Sequence, residues 1–200
     1  MSATIDTTQD QVIQAFGTFL QTIFGTSCPP YQGQQNDVPE PKDSNFVMMT
    51  PLWLERLSTN ENSFTASSQS SQQSTKFTVQ LDFHGPNGGD FAQTFSTLWR
   101  DEYACDYFLD NTFNFAVLLG NSYTLVTNTG ASIGVTSSVI LQPLYSDDPR
   151  QTPFINAEQD YEYRWTVDAH MQYNPNVTTI IQSALSLKAG VYQVDATYPP

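Results

Sequence analysis

The chain has 200 residues, with 7 Lys plus Arg against 20 Asp plus Glu and a formal net charge of −13. That length fits one domain, here residues 1–200. The acidic balance excludes recognition of nucleic acid through its phosphates and attraction to anionic membranes, since both need basic patches. Charged residues make up only 14% of the chain, against about 25% in ordinary soluble domains, so Ser, Thr, Asn and Gln carry much of the surface.

Residues 7–24, TTQDQVIQAFGTFLQTIF, repeat their apolar positions at helical spacing: Val12, Ile13, Phe16, Phe19, Leu20, Ile23 and Phe24. This predicts an amphipathic helix capped by Thr7 or Thr8 and ended by Gly25. Residues 26–44 contain Pro29, Pro30, Pro39 and Pro41 and read as an extended loop. Asn45 to Leu57 is apolar and predicts a strand bent near Pro51. Residues 58–74 are low in complexity and polar, and read as a flexible hairpin tip or linker.

Thr75 to His84 alternates. Phe77, Val79, Leu81 and Phe83 fall on one side; Lys76, Thr78, Gln80, Asp82 and His84 fall on the other. Gly85 to Gly89 is a turn, after which Asp90 is expected to cap a second helix running to about Cys105. Tyr123 to Val126 and Val135 to Leu141 could pair as a hairpin, and 107–141 as a whole reads as an insertion. Pro143 to Pro153 is rich in turn residues.

Tyr161 to Asn174 alternates without a break. Successive strand side chains point to opposite faces. The pattern therefore predicts one long strand, with Tyr161, Tyr163, Trp165, Val167, Ala169, Met171 and Tyr173 packed. Glu162, Arg164, Thr166, Asp168, His170, Gln172 and Asn174 would be wet. In the C-terminal tail, 176–200, Thr178 to Lys188 reads as a short helix and Val191 to Thr197 as a last strand. The whole is α+β: a mostly antiparallel, mixed β-sheet with two main helices packed on one face, a long strand in the C-terminal half, and extra β-hairpins. The other sheet face is left for neighbours.

Motifs of catalysis and of nucleotide binding are missing from the sequence. His84 and His170 sit on polar strand faces without placed partners. Asp147-Asp148-Pro149 fits a turn better than a cation site. Asp101 and Glu102 are adjacent on a helix and do not face each other. Gly85 to Gly89 lacks the basic residue of a phosphate loop. The expectation is no catalytic residue, no cofactor and no metal. Cys28 and Cys105 have no metal or redox spacing and are expected as free thiols. The polar N-terminus predicts no secretory signal, and no apolar run approaches the ~18 residues of a membrane span. Arg56, Arg150 and Arg164 are each expected to pair with a carboxylate, within the subunit or across an interface.

Three segments, SNFVMMTPLWLERLSTN (44–60), TVQLDFHGPNGGDFAQTFSTLWRDEYACD (78–106) and QPLYSDDPRQTPFINAEQDYEYRWTVDAHMQYNP (142–175), resemble the neck or tail terminator proteins of tailed bacteriophages. The resemblance implies a ring, commonly of six copies, at the head-proximal end of the tail tube. Such a ring stops tube polymerisation and meets the head connector. It implies as partners other copies of the chain, the tail tube, the sheath of a contractile tail and the head–tail connector. DNA would pass through the lumen without specific binding. The implied location is the virion neck, assembled in the host cytoplasm. Candidate interface residues in the matching segments are Arg56, Arg100, Asp147, Asp148, Arg150, Glu158 and Arg164. Asp168 and His170 join them on the polar face of the long strand, where Arg164→Glu is expected to prevent ring assembly. Two alternatives stay open: another neck component such as a connector or collar protein, and a monomeric β-rich binding module.

Overall fold

The computed structural model describes residues 3–34, 41–110, 124–126, 132–134, 141–152, 154–155 and 161–181. In chain order the elements are β1 (Ala3–Ile5), α1 (Gln9–Phe24), β2 (Pro30–Gln32), β3 (Phe46–Arg56), β4 (Glu61–Phe64), β5 (Ser68–Gln72) and β6 (Thr75–His84). There follow α2 (Gly88–Trp99), α3 (Glu102–Asp110), β7 (Thr124–Val126), β8 (Ser132–Gly134), β9 (Gln142–Ser146) and β10 (Arg150–Gln151). The last are β11 (Phe154–Ile155), β12 (Tyr161–Glu162), β13 (Arg164–Tyr173) and β14 (Asn176–Ile180). The architecture is α+β, as the sequence predicts.

A six-stranded sheet runs β10-β13-β6-β3-β2, with β9 also paired to β13. Its pairings are antiparallel except β2 with β3, which is parallel. β6 and β13 pair along their full lengths, from Arg164↔His84 to Tyr173↔Thr75. β3 slips register between Pro51 and Trp53. Proline has no N–H to give to the ladder, so the predicted bend is a bulge there. A second sheet orders β1-β14-β5-β4, and β7–β8 and β11–β12 are two-stranded.

The apolar sides of β6 and β13 form one wall of the core. Phe77, Val79, Leu81, Phe83, Val167, Ala169 and Met171 are essentially inaccessible, together with Phe16, Phe19, Leu20, Phe95 and Trp99 from the helices. Thr8 caps α1 in a reciprocal box with Gln11: Gln11 N–H donates to Thr8 Oγ1 (3.4 Å) and Thr8 N–H to Gln11 Oε1 (2.8 Å). Gly25, at φ 58°, ends the helix. Trp99 is the hub of the core, with ring centroids 5.1 Å from Phe16, 5.5 Å from Phe19 and 5.4 Å from Phe95. Its indole N–H donates to the carbonyls of Tyr145 (3.1 Å) and His170 (3.3 Å). A buried aromatic with a satisfied polar handle ties helix to sheet at one point.

Several expectations are corrected. α2 starts at Gly88 behind Asn87, not behind Asp90. Asp90 lies in the first turn, where its charge suits the positive end of the helix. The predicted single helix to Cys105 is two helices. Arg100 closes α2, and the Asp101 carboxylate accepts the Glu102 N–H (2.9 Å) at the start of α3. Residues 61–72 form the paired β4–β5 hairpin where a flexible hairpin tip or linker is expected, and β14 occupies 176–180 where a helix is expected from Thr178. Ser70 Oγ donates to Asn176 Oδ1 at 2.6 Å across that pair. β2 interrupts the loop 26–44, and β9 and β10 fall across the turn-rich segment Pro143 to Pro153. The hairpin at 124–134 pairs Val126 with Ser132, so its second strand comes earlier than predicted. Most of 107–141, and the predicted strand 191–197, lie outside the described residues.

Candidate functional site

Opposite the helices, the main sheet presents the polar residues of β6 and β13. The antiparallel register sets Thr78 beside His170, Gln80 beside Asp168 and Asp82 beside Thr166. Directly opposed residues point to the same face, so two polar stripes become one polar layer. The sequence predicts this layer to be wet. It is instead largely buried: Asp82, Thr166, Asp168 and His170 are at most 8% exposed. The cover comes from the adjoining edge strands. Tyr145 of β9 stacks on the His170 ring (4.2 Å, 24°), and Arg150 of β10 reaches Asp168.

Hydrogen bonds link most of the layer. Thr166 donates to Asp82 Oδ1 (2.7 Å), Gln80 donates to Asp82 Oδ2 (2.9 Å), and Thr152 bonds Thr166 (3.0 Å). His170 Nδ1 lies 2.9 Å from Thr78 Oγ1, and its Nε2 lies 3.7 Å from Asp147 Oδ1. Burial pushes the His170 pKa below its ordinary value, against the opposing pull of Asp147. Desolvation outweighs the partly exposed carboxylate, so the ring is neutral at pH 7. Asp168 Oδ2 accepts from Arg150, while its buried Oδ1 makes no hydrogen bond among the described residues.

Most of the expected interface residues have partners inside the subunit. Arg100 donates to the Ser146 carbonyl from Nε (3.0 Å) and to Asp148 Oδ1 from Nη2 (2.9 Å), which fastens the end of α2 to β9. Arg150 pairs with Asp168 at 3.0 Å, and Arg164 Nε lies 3.9 Å from Asp82 Oδ1. Asp147, Arg150, Asp168 and His170 converge on β13. Arg56 stands apart at the far end of β3, exposed, donating to the Asn60 amide oxygen (2.5 Å). Glu158 lies outside the described residues. Asp82, Thr78 and Tyr145 also carry the layer. Their polar alternation is visible in the sequence, but their partners depend on register and on β9.

The aromatic stripe is divided. Val167, Ala169, Met171 and Tyr173 are buried as predicted, but Tyr161 and Tyr163 are 77% and 62% exposed. The strand breaks at Tyr163, before β13 begins. Trp165 packs on the start of α2, where a side chain at Gly89 would meet its indole at 3.0 Å.

Among the described residues no group of three or more His, Cys, Asp or Glu could hold a metal ion, and no helix is long and apolar enough to cross a membrane. Cys28 is buried and Cys105 exposed, both free. No curated protein matches the chain. Residues 10–122 and 137–195 match the family described as phage neck terminator protein. With most of its length matched, the chain belongs to the phage neck terminator family: it is a structural protein of the virion neck that works against other tail and head proteins.

Proposed function

We propose that the chain closes into a ring, of six copies, on the head-proximal end of the tail tube. The ring ends tube polymerisation and presents its second face to the head–tail connector. Family membership carries this reading. The sealed polar layer of the main sheet supports it, because an inward network of this kind stiffens a subunit without offering a reactive group. The net charge of −13 per copy supports a lumen that repels DNA in transit. Partners are other copies, the tube, the sheath where the tail contracts, and the connector, met after assembly in the host cytoplasm.

Light scattering of the purified chain, with negative-stain images of the same peak and of isolated tails, tests the ring. Six-fold rings, free or on tube ends, are expected. Twelve-fold rings would replace the reading by a connector or collar. A chain that stays monomeric in solution and ignores tube ends would replace it by a binding module. Reversing two lumen-facing acids to Lys should slow DNA ejection; unchanged ejection overturns the repulsive lumen.

A further inference from the structure

The two ends of β3 differ in chemistry. At its first residue, Phe46 stacks on His84 (4.6 Å, 8°) beside a cavity of about 410 Å³. Asp43, Glu162 and the exposed rings of Tyr161 and Tyr163 also line that cavity. The Tyr31 hydroxyl donates to Asp43 Oδ2 at 2.6 Å and orients that carboxylate. Aromatic faces set among carboxylates suit a cation, and a planar guanidinium best.

At the last residue of β3 stands Arg56, about 33 Å away along the strand. Of the five other described basic side chains, four have carboxylate partners: Lys76 with Glu55, Arg100 with Asp148, Arg150 with Asp168, and Arg164 with Asp82; the fifth, Lys42, is next to Asp43 in the chain and not at this end of β3. Arg56 has none among the described residues; its partner is the amide of Asn60. Around it Leu54, Leu57 and Ile5 are about half exposed. A cation rimmed by exposed apolar side chains is the composition of an interface anchor. A ring closed head to tail needs two unlike, mutually complementary patches on opposite sides of each subunit.

We propose that Arg56 of one copy enters the Tyr161–Glu162–Tyr163 cavity of the next copy, making this contact the head-to-tail joint. The joint rests on the ring reading above. The guanidinium stacks on the tyrosine rings and meets the carboxylates of Asp43 and Glu162, while Leu54 and Leu57 cover the rim.

Charge exchange in the full-length chain tests the joint. Arg56→Glu alone and Glu162→Lys alone should each abolish the ring peak in light scattering. Mixed one to one, the two variants should restore it, because alternating copies place Arg56 against Glu162 at one joint and the two exchanged charges against each other at the next. Damage to the fold cannot be repaired by mixing. Tyr161→Ala, which removes an exposed ring and no charge, should raise the concentration of half-assembly about tenfold. Wild-type rings that persist unchanged in Arg56→Glu overturn the joint alone, whether or not tail binding survives. So does a mixture that stays unassembled while the wild type forms rings. Failure of the wild type to form rings, free or on tube ends, overturns the ring reading and the joint with it.

Discussion

Arg150 reaches from the edge strand β10 to Asp168 on β13, its Nη2 3.0 Å from Oδ2. The Asp168 side chain is 12% exposed and that of Arg150 is 53% exposed. The pair is therefore a partly buried carboxylate with a solvated lid. Its worth lies chiefly in not leaving Asp168 bare. Arg150→Ala should cost about 1–2 kcal/mol of stability, read as a lower urea midpoint at unchanged slope. An unchanged midpoint would show that the pair adds nothing to the stability of the subunit.

His170 makes stability depend on pH. Burial lowers its pKa from the ordinary 6.5, so the unfolded chain takes up the proton first as pH falls. The contribution is whole above pH 6.5 and is lost as pH drops through that value toward the folded pKa. Asp147 and Asp168 oppose the shift, and Lys76 adds to it. The melting temperature should fall between pH 7.5 and 5.5, and His170→Gln should flatten that slope. Equal slopes in the two proteins would remove His170 as the cause.

The two thiols should react unequally. Burial pushes Cys28 up to about 12, whereas Cys105 is exposed on α3. The thiolate is the reactive form. A thiol reagent at pH 8 should label one equivalent in the native chain and a second only in denaturant. Cys105→Ser should leave the native chain unlabelled on the same timescale; rapid labelling of that variant would show Cys28 to be accessible.

Elements with an apolar period were legible in the sequence. α1 shows its Thr8 cap, its buried stripe and its Gly25 stop; β6 and β13 show strict alternation. β4 and β5 carry Ser, Gln and Asn with no apolar alternation, and side-chain bonds such as Ser71 Oγ to Asn62 Oδ1 (2.7 Å) join them. That signal exists only once the strands are paired. The break between α2 and α3 has neither Pro nor Gly; Asp101 marks it by accepting the next residue's N–H. Alternation alone places the polar residues from Glu162 to Asn174 in water, because it carries no information on what covers them. Paired with β6 and covered by Tyr145 and Arg150, the middle of that face, Thr166, Asp168 and His170, is closed, while Asn174 at the end stays exposed. The cavity at Tyr161 was hidden for the opposite reason: alternation assigned its rings to the core, and the break at Tyr163 turned them outward.

Gly85 gives the sharpest backbone test. It sits at φ 101° in the turn between β6 and α2 and donates its N–H to the Tyr163 carbonyl (3.1 Å). A methyl group there would collide with the Ser44 carbonyl oxygen and lie 2.6 Å from Asn45 Oδ1. Asn45 Oδ1 already accepts the Asn87 N–H at the start of α2 (3.0 Å). Gly85→Ala therefore combines left-handed strain with a backbone clash and disturbs the anchor of a helix. A loss of at least about 2 kcal/mol follows, or about 4–8 °C in melting temperature for a chain of this size. Gly25→Ala is the matched control: φ is 58° and nothing lies within 4 Å of the added methyl. Its ψ of −133° lies outside the left-handed helical well, so the conformational part alone should cost about 1–3 kcal/mol, without the clash that Gly85→Ala adds to it. Equal losses at the two positions would show that the contact with Ser44 yields freely and that the turn does not hold α2 in place.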